Sequence, residues 1–479
     1  MMWSLRLVSV RPALAHRTDT DKWMDPHQAA VYVAERPVAD GVLRSWYDLD
    51  PDKPATPLVD PDLDRRYWAH SGSELPSVYE WNLEFLRKVL CANDPAGYPY
   101  LADQFRRLRD VFVFEPADRM PYPTYRYLRN THYPSGLVTN SFGWRGPEVP
   151  LNKPAGRIRI AFVGASTTVD AHRDPFSYPE YVGRWLREWA NSRHPGISLD
   201  VINAGREGLL SNSIAAIVRQ ELLPLRPDLV VYYEGANQFW PNDFVRRPIV
   251  RMLRLASPTS LDGYSAIARR VQTLLERRES GAEPYKPTIS VAWPADLDEG
   301  DPKVDDPRLP VQLPRILSDV DRMHQAIAGA GGTLMLSSFV WLAAPGLTLD
   351  SRRDALIYRE LNERYWPFSY AHMRRFVDFE NRVFQKYARQ HHLPFNDLAA
   401  VYPADPRLFV DSIHMTPAGV KLKAWLVFQN LVPVLRHLLD VGAIPVPDPG
   451  GRRAHPSLAG QGRRLVSVDQ IARSCRPLD

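Results

Sequence analysis

The sequence predicts an α/β fold, a parallel sheet with helices on both faces, joined to an irregular N-terminal region and carrying a large insertion. Three observations predict it. Short apolar runs alternate with segments of helical spacing from about residue 157 onward. Three successive runs of buried-strand type each lead into a turn bearing a small or polar residue: Gly164-Ala-Ser166, Asn203-Ala-Gly-Arg-Glu-Gly208 and Gly235-Ala-Asn237. An Asp411-Ser-Ile-His414 pair then follows the last strand signal. Parallel strands all end on one side of their sheet, so these residues are expected to converge there.

Each element follows from local pattern. Residues 1–150 are rich in proline and tyrosine, with helical spacing over Val78–Leu90 and Phe105–Phe112 and a turn-rich stretch from Glu115 to Pro150. Ile158–Val163, apolar except for Arg159, reads as a strand, and Tyr178–Asn191 as the helix after it. Leu199–Asn203 and Leu229–Tyr233 are further strands, separated by a helix over Asn212–Leu223 with Asn212 or Ser213 at its N-cap. After Asn237 the alternation stops. A helix over Ala266–Arg278 and a charged, proline-rich stretch from Glu283 to Pro314 make the segment 241–330 an insertion, suited to a mobile loop or an ordered cover over the site. A helix at Ile316–Gly329, a strand at Thr333–Phe339, a helix at Met373–His391, a strand at Pro394–Asn396 and a helix at Pro417–Leu438 resume the pattern. These divide the chain into a region 1–150 of unassigned role, a domain 151–440 with its insertion, and an extension 441–479 expected to be loosely packed.

Composition excludes several functions. A net charge of +5 over 479 residues, mixed in sign and without a basic stripe among aromatics, gives no nucleic-acid footprint. No stretch approaches the ~20 apolar residues of a transmembrane helix. Two cysteines, Cys91 and Cys475, make neither a disulfide framework nor a zinc site, and read as incidental. The expected location is cytoplasmic, although Ala13-Leu-Ala15 resembles an export cleavage site. No metal or other cofactor is expected, His391-His392 reading as a solvated helix end. The pattern says nothing of oligomeric state.

Each motif also has a plainer reading. Ser166 in Ser-Thr-Thr could simply cap the next helix. The Gly-x-Ser-x-Gly elbow is absent, Thr168 standing at its second glycine, and no Gly-Lys-[Ser/Thr] phosphate loop follows. Gly205, Gly208 and Asn237 could be turn residues, and a lone Asp-x-x-His is most often a helix cap beside a surface histidine. Their order and shared sheet edge favour chemistry. A serine becomes a nucleophile when a histidine takes its proton and a carboxylate orients that histidine. Glycine amides and an asparagine side chain can meet the resulting oxyanion.

These four blocks resemble the SGNH hydrolase superfamily, the GDSL-type esterases and lipases, over roughly residues 156–240 and 330–440. The resemblance implies a flavodoxin-like three-layer α/β/α domain. It implies Ser166 as nucleophile, His414 as base and acid, Asp411 as its orienter, and an oxyanion hole of the Ser166 and Gly208 amides with the Asn237 side chain. Gly205 competes for the second donor, but Gly208, five positions after Asn203, fits the family spacing better. Two positions depart from the pattern: Ala165 stands where the family has Asp before the serine, and Gln238 where an Asp often follows the asparagine. The lead-in Asn140-Ser-Phe-Gly-Trp-Arg-Gly-Pro-Glu148 also looks like one in larger bacterial members.

The expected reaction is hydrolysis of a carboxylic ester through an acyl-enzyme, on a small-molecule or carbohydrate ester such as an O-acetyl sugar. The same triad could instead pass the acyl group to a bound hydroxyl, and a silent SGNH fold would serve only binding. Phe239 and Trp240 are candidates for one pocket wall.

Overall fold

The computed structural model describes residues 23–475 except 54–78, 92–98, 134–135, 171–175, 239–290, 345, 351–352, 360, 362–367, 369, 452, 454 and 457–460. Phe239, Trp240, the expected helix Ala266–Arg278 and residues 283–290 lie outside the described residues.

The N-terminal region opens with α1 (Ala30–Ala34), followed by β1 (Glu80–Asn82), α2 (Leu83–Leu90), α3 (Pro99–Arg106), β2 (Asp110–Glu115) and β3 (Tyr125–Arg126). Asn82 caps α2 by accepting the amides of Glu84 and Phe85. The helix expected over Phe105–Phe112 is instead the end of α3 followed by a strand. From Asp110 the buried positions Val111 and Val113 alternate with partly exposed ones, a period of two rather than 3.6.

The second sheet is built by β4 (Arg157–Gly164), α4 (Ser166–Val169), α5 (Tyr178–Arg193), β5 (Ser198–Asn203), α6 (Ser211–Ile217) and β6 (Leu229–Tyr233). It is completed by α7 (Pro314–Gly329), β7 (Thr333–Ser337), α8 (Ala355–Arg359), α9 (Tyr370–Gln390), β8 (Phe395–Asn396), α10 (Leu398–Val401) and α11 (Pro417–Asp440). Its five strands run in the order β5-β4-β6-β7-β8, with every pair parallel. Counted within the sheet, that is the doubly wound order 2-1-3-4-5, the flavodoxin-like arrangement expected. Alternation along β6 assigns the helix layers. Tyr232 meets Phe384 of α9, while the next residue, Tyr233, meets Tyr178 of α5 and lies beneath Lys423 of α11. Helix α7 joins the α9 layer through a bond from the Tyr387 hydroxyl to Asp321, and α6 joins α7 through one from Ser211 Oγ to Asp319. The expected caps Asn212 and Ser213 fall inside α6, whose N-cap position is Leu210.

Charges inside the sheet sit at the end away from the strand tips. Arg159, fully buried, donates to Asp200 at 2.9 Å and 3.2 Å, and to the Leu225 and Pro150 carbonyls. Asp228 accepts from Lys153 Nζ, the Arg159 amide and the Val446 amide. Every buried charge there has a partner, which is what keeps its burial tolerable.

The N-terminal region shares this core. Tyr47 packs edge-on to Trp425 and stacks on Trp185, and Trp46 meets Phe428, sealing α5 against α11. The tail, expected to be loose, supplies β9 (Gln461–Ser467) and α12 (Val468–Arg473). β9 pairs antiparallel with β2 and closes a sheet of order β3-β1-β2-β9. Cys91, at the end of α2, forms a disulfide with Cys475 beyond α12, Cα to Cα 5.3 Å. Those cysteines are not incidental. No helix of the described residues is long and apolar enough to cross a membrane.

Candidate active site

Strand order reverses between β4 and β6, and a doubly wound sheet opens a crevice at that switch point, beyond the carboxyl ends of the strands. β4 delivers Ser166 there. Gly164 permits the turn because an added Cβ would lie 2.2 Å from both Thr168 Oγ1 and the Tyr233 carbonyl. Thr168 Oγ1 donates to that carbonyl at 3.1 Å, tying the serine turn to β6. The turn closes with Ala165 O accepting the amides of Thr168 and Val169, and Asp170 ends it in the left-handed region at φ 48°. Asn203 at the tip of β5 donates to Thr168 O and Ser177 Oγ, each at 3.1 Å. Lys423 of α11, buried, donates to Thr167 O at 2.7 Å.

His414 arrives on a loop held from both ends. Val410 N–H donates to His414 O at 2.8 Å, and Leu342 N–H, just past β7, donates to Ser412 O at 2.8 Å. Thr416 then caps α11 by accepting the Gly419 amide. Within the loop Asp411 Oδ1 accepts the amides of Ile413 at 2.9 Å and His414 at 2.6 Å. Its other oxygen is 2.7 Å from His414 Nδ1, and His414 Nε2 is 2.8 Å from Ser166 Oγ. Asp411 is 9% exposed, whereas Ser166 and His414 are half-buried, so the line of three runs from the interior to an accessible hydroxyl. α4 begins at Ser166, yet the hydroxyl is engaged by the histidine.

The two glycines of the second block separate clearly. Gly205 is buried, donates its amide to Asn203 Oδ1 at 3.2 Å, and an added Cβ would meet Val169 N at 2.6 Å. Its place is beneath the serine turn. Gly208 is exposed and sits at φ 66°, a conformation glycine adopts without strain. Asn237 Nδ2 donates to Leu209 O at 3.1 Å, so the asparagine leans against the Gly208 loop rather than standing free. A carboxamide carries two N–H donors, which leaves one for another acceptor.

Sequence reasoning missed Glu234. It is buried at the tip of β6, and its carboxyl accepts the Asn237 amide at 2.8 Å together with the amides of Gly235 and Ala165. It therefore joins the residue before Ser166 to the Asn237 turn. Burial pushes its pKa up to about 8, against the opposing effect of those amides. Glu380 of α9 faces it, fully buried, with neither carboxyl oxygen hydrogen-bonded among the described residues; burial first, then Glu234, push its pKa well up. No motif could have signalled Glu234, since a lone carboxylate after a strand has no distinctive spacing.

The strand order 2-1-3-4-5 is the flavodoxin-like arrangement that the sequence resemblance implied. No family model matches the chain, and no curated protein does. Similar solved structures include a GDSL-like lipase from Bacteroides thetaiotaomicron VPI-5482, at 13% identity, TM-score 0.28, covering 58% of this chain and 88% of that one. An acetylxylan esterase from Geobacillus stearothermophilus is similar at 17% identity, TM-score 0.29, covering 59% of this chain and 96% of that one. A further acetyl xylan esterase is similar at 13% identity, TM-score 0.31, covering 58% of this chain and all of that one.

Proposed function

We propose that the protein is a serine-dependent hydrolase of carboxylic esters, of the SGNH type. The observation that carries this reading is the line Asp411–His414–Ser166, with contacts of 2.7 Å and 2.8 Å, at the switch point of the sheet. Asp411 holds the proton of His414 on Nδ1, leaving Nε2 with its lone pair toward the serine. Ser166 Oγ attacks the ester carbonyl as its proton passes to Nε2, and the carbonyl electron pair moves onto oxygen. The Ser166 and Gly208 amides and the Asn237 side chain receive that oxyanion. Collapse expels the alcohol, which takes the proton from His414, and leaves an acyl-serine. Water, deprotonated by His414, then attacks the acyl carbon, and cleavage of the C–Oγ bond releases the acid as His414 returns the proton to Ser166 Oγ.

The substrate class is a small-molecule or carbohydrate ester, an O-acetyl group among the candidates. The hydrolase domain is taken as 151–440, flanked by residues 1–150 and 441–479. The Cys91–Cys475 disulfide favours an oxidising compartment over the cytoplasmic expectation. The test is hydrolysis of 4-nitrophenyl acetate, with free acetate and acetyl transfer to added sugars measured together. Ser166→Ala should lose on the order of 10⁴–10⁶-fold in kcat. A Ser166→Ala protein that keeps half the wild-type rate contradicts the assignment. Acetyl appearing on sugar in place of free acetate would move the reading to acyl transfer.

A further inference from the structure

We propose that Tyr125 and Tyr127, from the N-terminal sheet, are positioning residues that aim the Gly208 amide at the oxyanion. The inference rests on the reading above, in which that amide is a donor. Tyr125 Oη donates to the carbonyl of Glu207 at 2.8 Å, and the Glu207 amide donates to Tyr127 Oη at 3.3 Å. Both backbone polar groups of Glu207 are thus closed into a ring with a pair of buried phenols two positions apart in the chain, 6% and 2% exposed.

The geometry of a peptide group gives that ring its consequence. The Glu207 carbonyl belongs to the same planar unit as the Gly208 N–H. The Glu207–Gly208 bond is not among the cis peptides of the described residues, so the two groups point in opposite directions. With the carbonyl fixed inward on Tyr125, the N–H is turned outward, where Gly208 is exposed beside Asn237. Glycine tolerates either hand of φ, so the backbone alone does not keep this plane from turning over. The hydroxyl of Tyr125 supplies the missing restraint.

The phenols are themselves held. Arg206, the residue before Glu207, donates from Nη1 to the Tyr125 carbonyl at 3.2 Å, and pairs through Nη2 with Glu221. Glu221 also receives Arg126 Nε at 3.2 Å and Trp144 Nε1 at 3.3 Å. Burial would raise the Glu221 carboxyl, but Arg206 and Arg126 outweigh it and hold it below its usual range. Strand β3 and the Gly208 loop are therefore tied together on both sides. Burial raises both phenols well above their usual pKa, so they stay protonated donors.

The test compares full-length wild type, Tyr125→Phe, Tyr127→Phe and Tyr133→Phe on 4-nitrophenyl acetate, with thermal unfolding of each. Tyr133 is a control in the same aromatic cluster, its ring edge-on to Tyr127 at 5.9 Å and its hydroxyl accepting the Leu128 amide at 2.8 Å. Tyr125→Phe should lower kcat by about tenfold or more with KM unchanged, a loss bounded by the 10²–10³-fold that follows removal of an oxyanion donor. Its affinity for a boronic acid, which forms a tetrahedral adduct, should fall in the same proportion. Tyr127→Phe should show the same signature more weakly, and serves as the readout should Tyr125→Phe not fold. Tyr133→Phe should lower the melting temperature and leave kcat intact. Unchanged kcat in Tyr125→Phe, or equal losses in Tyr125→Phe and Tyr133→Phe, would overturn the proposal. A wild-type protein without esterase activity would overturn the parent reading and this one with it.

Discussion

At His414 the imidazole meets Asp411 on one side and Ser166 on the other. Asp411 spends one oxygen on two backbone amides and the other on Nδ1, so the carboxylate is fixed before it orients the ring. Ser166, Asp411 and His414 were legible in the sequence because the chemistry dictates residue type and the loops dictate spacing. Glu234 behaves differently, and its role is testable through pH. Its carboxyl is raised by burial to about 8 from the ordinary carboxylate range. Between roughly pH 4.5 and pH 8 the unfolded chain releases this proton while the folded chain keeps it, so stability falls as pH rises through that window. Below the window both states are protonated and the contribution is fully present. Glu380, raised likewise, adds to the same slope. Glu234→Gln should therefore show a shallower loss of melting temperature from pH 5 to pH 8 than wild type. An identical slope in the two proteins would mean that Glu234 ionises normally in the fold.

Among the elements, β4, β6 and β7 were legible because buried parallel strands are continuous apolar runs bounded by turns. What the sequence concealed was pairing across distance. β2 was overlaid by the end of α3, so one window held two periods. β9 reads as a charged tail, Gln461-Gly-Arg-Arg, and becomes a strand only against β2, where Arg464 pairs with Glu115. The bond from Tyr125 to Glu207 spans 82 positions and has no local signature at all. The disulfide belongs to this scale, since it fastens the end of α2 to the segment after α12 across 384 positions. Cys91→Ser should lose about 2–4 kcal/mol of stability, several degrees in melting temperature, with kcat unchanged. A melting temperature insensitive to both Cys91→Ser and reducing agent would show that the bridge does not form.

For the molecule as a whole, two sheets divide the work. The parallel sheet brings Ser166, Gly208, Asn237 and His414 to one end through the order of its strands. The sheet made from both flanks of the chain grips the Gly208 loop through Tyr125 of β3 and Tyr127 just after it, while Trp46 and Tyr47, earlier in the chain, pack on α5 and α11. The central claim is that Ser166 is a nucleophile activated by His414. Treatment with a fluorophosphonate probe and peptide mapping by mass spectrometry tests it most directly. The account predicts a single covalent adduct on Ser166, lost in His414→Ala protein that remains folded. An unlabelled Ser166 in folded wild-type protein, or equal labelling without His414, would contradict it.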